Sequence, residues 1–573
     1  MRKRINTHTH GNLNLGFKFL NSLLFSTLLV LFTGILSGLS AQCTELPGKI
    51  TGVVFMDKDY DGVRDSEDRG IAFIQVNAFD AGNSLVSSAL TDLTGNYTLS
   101  GLIDGQRYSI EIVKPSYYEH TLVGPDQKGD VRTVSAPACA AHFGFFKPGD
   151  FSLEPNPRIA VANFVGGESL SLNANAQTII GLEQNFNSQS ATSSLAQKQQ
   201  TGAVYGLAFN RTLQKLYASS FIKYGAVLGP LGTGGIYTLD RTTGTVSPFV
   251  NLSDFGINTG STQGLSVSDC RYGDLVGKVG LGNMDISYDD QFLFVTNLFN
   301  KSVVIVPTGN PSSSNVMEIK IPNPGCKGGD YAVSAIKYHD GQLYIGVTCT
   351  AGTSLNPADC AFHVYELNLT TRVFNLILSS SFMRAYWPAT QRDFKGVSQW
   401  LTDLDFNRFG EMILGVSDRK GHSYCLGLEK LTNQKGDILV AFKSASGWVL
   451  ENAGFVNGRA GSGLSHLEGP GRGEFFGHDY WVIGPSLHPE ISTGTLAASM
   501  SRDEVINVVF DPVYESFTGG LQRYSTLDGK KTGAIQLYGP SSSVFGKASG
   551  LGDVEVLNQA TPVELGNLIW LDK

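Results

Sequence analysis

Two textures of hydrophobic patterning divide the chain. In the first, short β-prone runs are separated by turn residues. Lys49–Phe55 and Ile71–Phe79 are apolar, and Arg107–Val113 places Tyr108, Ile110 and Ile112 on one face. Period-two alternation bounded by Gly, Asp and Asn is the signature of half-buried strands. Thr91-Asp-Leu-Thr-Gly-Asn-Tyr97 reads as a turn between two strands, with Gly95 supplying a positive φ. A last strand is expected at Ala141–Phe146, and Lys147-Pro-Gly-Asp150 reads as a boundary. These runs predict a small β-sandwich over residues 42–148.

From about Ile159 to Leu557 a larger unit recurs: an apolar strand, a polar turn, a second strand rich in Tyr, Phe and Val, then a third. Tyr205–Asn210 leads to Lys215–Ala218, Met284–Ser287 to Gln291–Asn297, Ala335–Gly341 to Gln342–Ile345, and Thr402–Phe406 to Glu411–Leu414. Gly235–Asp240 and His363–Leu367 read as third strands. A sheet with two apolar faces needs a neighbour on each side, and radial repetition supplies both. The prediction is an all-β chain whose residues 155–558 form a β-propeller of six or seven blades. A large irregular sandwich is the alternative. The polar run 185–200 has the composition of a flexible insertion.

Composition sharpens this picture. Only 16% of residues are charged and 67 are Gly, which suits short strands and tight turns and excludes long helices or a coiled coil. The net charge of −8 includes four basic residues before position 42 (Arg2, Lys3, Arg4 and Lys18) and no acidic ones there, so the remainder is more acidic still. That balance argues against nucleic acid as a partner and suits divalent cations.

The first 41 residues read as an export signal. Met1-Arg-Lys-Arg4 is followed by an apolar stretch from Phe17 to Leu36 and by the small residues Ser37-Gly-Leu-Ser-Ala41. This order predicts cleavage after Ala41, with a retained membrane anchor as the alternative. No later stretch is apolar enough to cross a bilayer. Seven cysteines fit an oxidising compartment, and none shows C-x-x-C spacing. Cys43 and Cys139 bracket the first module and are predicted to be bonded. The expected location is secreted or at the cell surface.

The strongest local motif is Asp57-Lys-Asp59-Tyr-Asp61-Gly62-Val63-Arg-Asp65-Ser-Glu-Asp68. Carboxylates fall at loop positions 1, 3, 5, 9 and 12, with Gly at 6. This spacing turns Asp57, Asp59, Asp61, Asp65 and Asp68 towards one centre, and the Val63 carbonyl adds an oxygen, which is the donor set Ca2+ requires. Asp68 is shorter than the Glu usual at the last position. The flanks are strand-like, against a helical EF-hand.

The run Gly52–Ile71 resembles the opening of the B-type repeat domain of serine-aspartate-repeat surface adhesins (SdrD B-like). Thr91–Tyr97 and Leu102–Tyr108 match two further signatures of that family, so the resemblance covers about 100 residues. It implies a calcium-stiffened, immunoglobulin-like β-sandwich used as a spacer, with Asp57, Asp59, Asp61, Asp65 and Asp68 as ligands. Gly566-Asn-Leu-Ile-Trp-Leu-Asp572-Lys573 aligns with Thr51–Lys58, so residues 563–573 read as the start of a second, truncated module. The central region resembles, less specifically, the propeller that accompanies such modules in large exported bacterial proteins.

No nucleophile elbow, P-loop or H-E-x-x-H is present, and no catalytic residue is assigned. Asp403 and Asp405 stand two apart on one strand face, a pairing able to hold a metal or move a proton. His466, Glu468, Glu474, His478, Asp479, His488 and Glu490 gather in a Gly-rich stretch that reads first as a surface loop. The expected function is adhesion or surface architecture, towards a surface-protein or glycan ligand. The alternative is an extracellular metal-dependent propeller enzyme, a hydrolase or lactonase.

Overall fold

The structure is a computed structural model. It describes residues 44–57, 60–66, 68–92, 94–115, 118–121, 131–148, 156–354, 356–381, 399–423, 425, 436–465, 469–479, 481–483, 486–488, 491–513, 515–539, 545 and 548–558. It is all-β and divides into two compact units. One comprises Met1–Phe55, Arg69–Lys114 and Val123–Phe143, and the other Met56–Asp68, Pro115–Leu122 and Gly144–Lys573.

In the first unit, strand Lys49–Met56 pairs antiparallel with Asn96–Ser100, setting Val53 opposite Asn96. A second sheet runs in the order Leu85–Leu90, Gln75–Phe79, Arg107–Val113, Val131–Ser135. The predicted alternation holds: Tyr108, Ile110 and Ile112 are buried with Val76, Ala78, Tyr97 and Leu99. The predicted turn is built by Asp92, whose Oδ1 accepts from the backbone N of Thr94 (2.8 Å) and Asn96 (2.9 Å). Gly95 has φ +77°, and a Cβ there would stand 2.3 Å from the Val54 carbonyl oxygen, so both backbone sign and space require Gly.

The second unit contains six four-stranded antiparallel sheets among its described residues. Five are simple meanders whose first strands are Val204–Asn210, Leu281–Ile286, Tyr331–His339, Gln399–Phe406 and Ser492–Ser499. The sixth joins both ends of the unit, because Leu551–Leu557 pairs with Arg158–Asn163. These first strands and Leu551–Leu557 pack one against the next around a closed ring. That circular order is the radial arrangement expected from the repeat, and burial declines outwards from the ring. Val204–Asn210 is buried throughout, whereas Val246–Asn251, the outermost strand of the same sheet, is mostly half-buried or exposed. Close approach near the axis demands small residues: a Cβ on Gly206 would lie 2.6 Å from the Gly282 carbonyl oxygen.

The run expected to be a flexible insertion is partly regular. Ser193–Gln197 is the outermost strand of the sixth sheet, paired with Gln177–Glu183. An edge strand buries little of its surface, so it tolerates a polar sequence that composition alone reads as a linker.

Candidate functional site

The acidic loop is organised by its first residue. Asp57 is 1% exposed. Its Oδ1 accepts from the backbone N of Tyr60 (2.7 Å), and its Oδ2 from that of Gly62 (2.8 Å) and from the Thr121 hydroxyl. Tyr60 and Gly62 both carry positive φ, 61° and 74°, so the turn folds back over this carboxylate. Asp61 Oδ1 accepts from Val63 N at 2.7 Å, and Asp68 Oδ2 from Asp65 N at 3.0 Å. Asp61 and Asp65 are exposed. Asp59 lies outside the described residues. The donors are all hard oxygens, which suits Ca2+ in kind. The described carboxylates do not, however, place three ligand oxygens within 4.8 Å of one another.

The second assembly lies on the ring of inner strands. Each of these strands is the innermost of its sheet and pairs on one side only, which leaves alternate backbone N–H groups without a partner in their own sheet. Carboxylates of the neighbouring strand satisfy those donors. Asp285 Oδ2 accepts from Tyr338 N (2.6 Å), Asp403 Oδ2 from Leu496 N (2.9 Å), Asp405 Oδ2 from Ala498 N (2.9 Å), and Asp553 Oδ2 from Leu207 N (2.9 Å). Asp403 Oδ1 also accepts from the Asn283 amide at 2.6 Å. The pair picked out on one strand face therefore does share the axis, but it ties one sheet to the next.

Among these acids stands Lys337. Its Nζ lies 3.2 Å from Asp405 Oδ1 and 3.8 Å from Asp285 Oδ1. Burial alone would lower the ammonium pKa, but Asp285 and Asp405 outweigh it and hold the group charged. Burial pushes Asp403 up to about 8 and Glu555 up to about 8, and it raises Asp285 and Asp553. A cleft at this end is lined by Arg211, Asp285, Tyr288, Lys337, Asp405 and Glu555. Sequence reasoning missed Asp285, Lys337 and Glu555, although each is a charged residue inside a mainly apolar strand.

The Gly-rich stretch contributes in part. Glu474 and Asp479 are buried with Asp437 and Glu451. Glu451 accepts from Val440 N (2.9 Å) and Phe475 N (2.6 Å), and burial pushes it up to about 8. Burial and then Glu474 raise Asp437. His466, Glu468 and Glu490 lie outside the described residues. Cys270 is bonded to Cys425 and Cys326 to Cys349. Cys139 is disulfide-bonded, and Cys43 lies outside the described residues.

With this geometry in hand, the chain compares as follows. Residues 48–141 match the SdrD B-like domain family. Colossin-C of Dictyostelium discoideum is 27% identical over 91% of this chain, and the match spans 56% of colossin-C. Colossin-B of the same organism is 25% identical over 92% of this chain, spanning 15% of its own length. The chain thus spans about half or less of these relatives. Among solved structures, a periplasmic gluconolactonase of Pseudomonas aeruginosa is 13% identical, covering 70% of this chain and 98% of its own, with TM-score 0.35. The Dos1 propeller is 10% identical, covering 59% of this chain and 62% of its own, with TM-score 0.28. Likenesses this distant carry no conclusion about activity. SdrD B-like domains are typical of extracellular surface proteins. Among the described residues no helix is long and apolar enough to cross a membrane.

Proposed function

We propose that this chain is an exported surface or secreted protein acting in adhesion or surface architecture. An immunoglobulin-like SdrD B-like module serves as the spacer, and a six-bladed propeller is the part presented to a protein or glycan ligand. The observation that carries the reading is the chemistry on the propeller axis. Asp285, Asp403, Asp405 and Asp553 are committed to backbone N–H groups of adjacent strands, and Lys337 stands between Asp405 and Asp285. Groups already satisfied by the scaffold have little left to offer a substrate.

Calcium belongs to this proposal as the stiffening ion of the acidic loop. Asp57, Asp61, Asp65 and Asp68, with Asp59 and the Val63 carbonyl, would hold it. Its charge would relieve the repulsion between carboxylates gathered in one short loop. Asp57 already holds the turn in place, and the exposed Asp61 and Asp65 would close inwards on the ion.

One observation favours the enzyme reading. Glu555 faces the cleft, and burial pushes it up to about 8, making it a protonated acid at neutral pH near the Lys337 ammonium. A turnover screen of the full chain against esters, lactones, phosphoesters and glycans separates the two readings. The adhesion reading expects no turnover. Turnover abolished by Glu555→Gln or Asp403→Asn would replace it with the hydrolase.

A further inference from the structure

One sheet carries a sulfur–imidazole cluster that the reading above does not use. Cys326 and Cys349 are joined by a disulfide, and each is 5% exposed. Strand Gln342–Cys349 pairs with Ala361–Asn368 so that Cys349 faces Ala361 and Val347 faces His363. Cys349 and His363 are therefore diagonal neighbours on one face of the sheet, within side-chain reach. His363 Nε2 lies 3.4 Å from Cys349 Sγ. On the other side of the ring, Nδ1 lies 2.8 Å from the hydroxyl of Ser379, the residue opposite His363 on the next strand. With Nδ1 protonated and donating to Ser379, Nε2 turns its lone pair towards the sulfur. Among the described residues, Cys326, Cys349 and His363 are the one group whose three ligand atoms all lie within 4.8 Å of one another.

We propose that this cluster is a redox-gated site for a thiolate-seeking transition metal, with Zn2+ the fitting ion: closed while Cys326 and Cys349 are bonded, open once they are reduced. The geometry is close to that of a bound state. Tetrahedral Zn2+ with Zn–S of about 2.3 Å and Zn–N of about 2.1 Å sets sulfur and nitrogen about 3.6 Å apart. The imidazole thus needs almost no movement. The sulfurs must separate, and Cys326 can supply that movement because it sits on a loop, before the single turn Lys327–Gly329, while Cys349 is held in its strand. Ser379 acts as the outer hydrogen-bond partner that fixes the ring orientation of a metal-bound His.

The chemistry balances in two steps. Two molecules of a small thiol reduce the disulfide: the S–S bond breaks, each cysteine sulfur gains a proton, and the thiols leave joined as their own disulfide. Zn2+ then displaces both thiol protons to solvent and takes the Nε2 lone pair, with no change of oxidation state. Three protein ligands leave a fourth position for water. His363 is partly exposed, which gives reductant and ion a way in.

The test uses the full chain, reduced with a non-chelating phosphine, with Co2+ as a spectroscopic probe of the Zn2+ site. The reduced protein is expected to show a thiolate-to-cobalt charge-transfer band that one equivalent of Zn2+ removes. The oxidised protein, with the same fold, should show none. His363→Ala should weaken Co2+ binding at least tenfold, and Ser379→Ala about tenfold. The double variant Cys270→Ser/Cys425→Ser should keep the band, because the sulfurs it removes belong to a different disulfide. The proposal is overturned if the reduced chain shows no band, if the oxidised chain shows the same band, or if His363→Ala binds Co2+ as tightly as the parent. Circular dichroism of each variant keeps loss of fold distinct from loss of the site.

Discussion

Replacing Lys337 by Met is the sharpest perturbation of the propeller axis. The change keeps the apolar stem and removes the cation between Asp405 at 3.2 Å and Asp285 at 3.8 Å. At an effective dielectric constant of about 20, each attraction is worth about 4–5 kcal/mol before desolvation is charged against it. The lysine side chain is 25% exposed, so solvent screening takes part of that away. Removing one partner of a largely buried pair costs about 3–5 kcal/mol, and the lower end, about 3 kcal/mol, is expected here. Asp405→Asn should couple to it: the double variant should be less unstable than the two single losses added together, by about 1–3 kcal/mol. Urea unfolding of the full chain, followed by tryptophan fluorescence (Trp400 lies on the ring), measures all four corners of this cycle. The cost of Lys337→Met should also grow between pH 6 and pH 9, as Asp403 and Glu555 ionise through about 8. A single variant within 0.5 kcal/mol of the parent, or two losses that simply add, would refute the idea that one internal cation balances the axis.

Three further outcomes are expected. Millimolar calcium should raise the melting temperature of the full chain's first transition, magnesium less so, and Asp61→Ala should abolish the increment; Asp57→Ala is less informative because Asp57 also holds the backbone N of Tyr60 and Gly62. Stability should fall as pH rises: Glu451 and Glu555 stand at about 8 when folded against about 4.3 when unfolded, so their contribution is complete below that lower value and is lost as pH climbs through 8. Glu451→Gln should flatten the curve by on the order of 4 kcal/mol between pH 5 and pH 9, read by denaturant titration. Non-reducing peptide mapping should join Cys139 to Cys43, and finding Cys139 joined to any other cysteine would break that assignment.

The strand content was legible because period-two burial is local. Arg107–Val113 and Thr91–Tyr97 behave as their own residues dictate, and the repeated strand–turn–strand unit marks the ring. Asp403 and Asp405 were visible as a pair for the same reason. Their role was not, because it depends on Ala498, Leu496 and Lys337, which other sheets deliver from far along the chain. A signal existed in retrospect: Asp285, Lys337, Asp405 and Glu555 hold equivalent positions just before the turns of four inner strands, where the remaining inner strands have Ala208 and Ala497. A charge at a buried, repeating position is a request for a partner on the neighbouring repeat. The Cys349–His363 contact was hidden for a different reason, since diagonal proximity across a hairpin depends on its register, and spacing along the chain does not reveal it. Ser193–Gln197 escaped notice because an outermost strand has no apolar signature.

The central claim is that the chain works by holding surfaces together, with the propeller as presenter and no substrate turned over. The measurement that bears on it most directly is adhesion of intact cells, to one another and to a coated surface, with and without the gene, and with purified full chain added back in calcium. The account predicts that adhesion falls on deletion and is restored by both the parent chain and Glu555→Gln, which leaves the propeller surface intact while altering the cleft. Unchanged adhesion on deletion, accompanied by loss of a hydrolytic activity that the parent restores and Glu555→Gln does not, would contradict it.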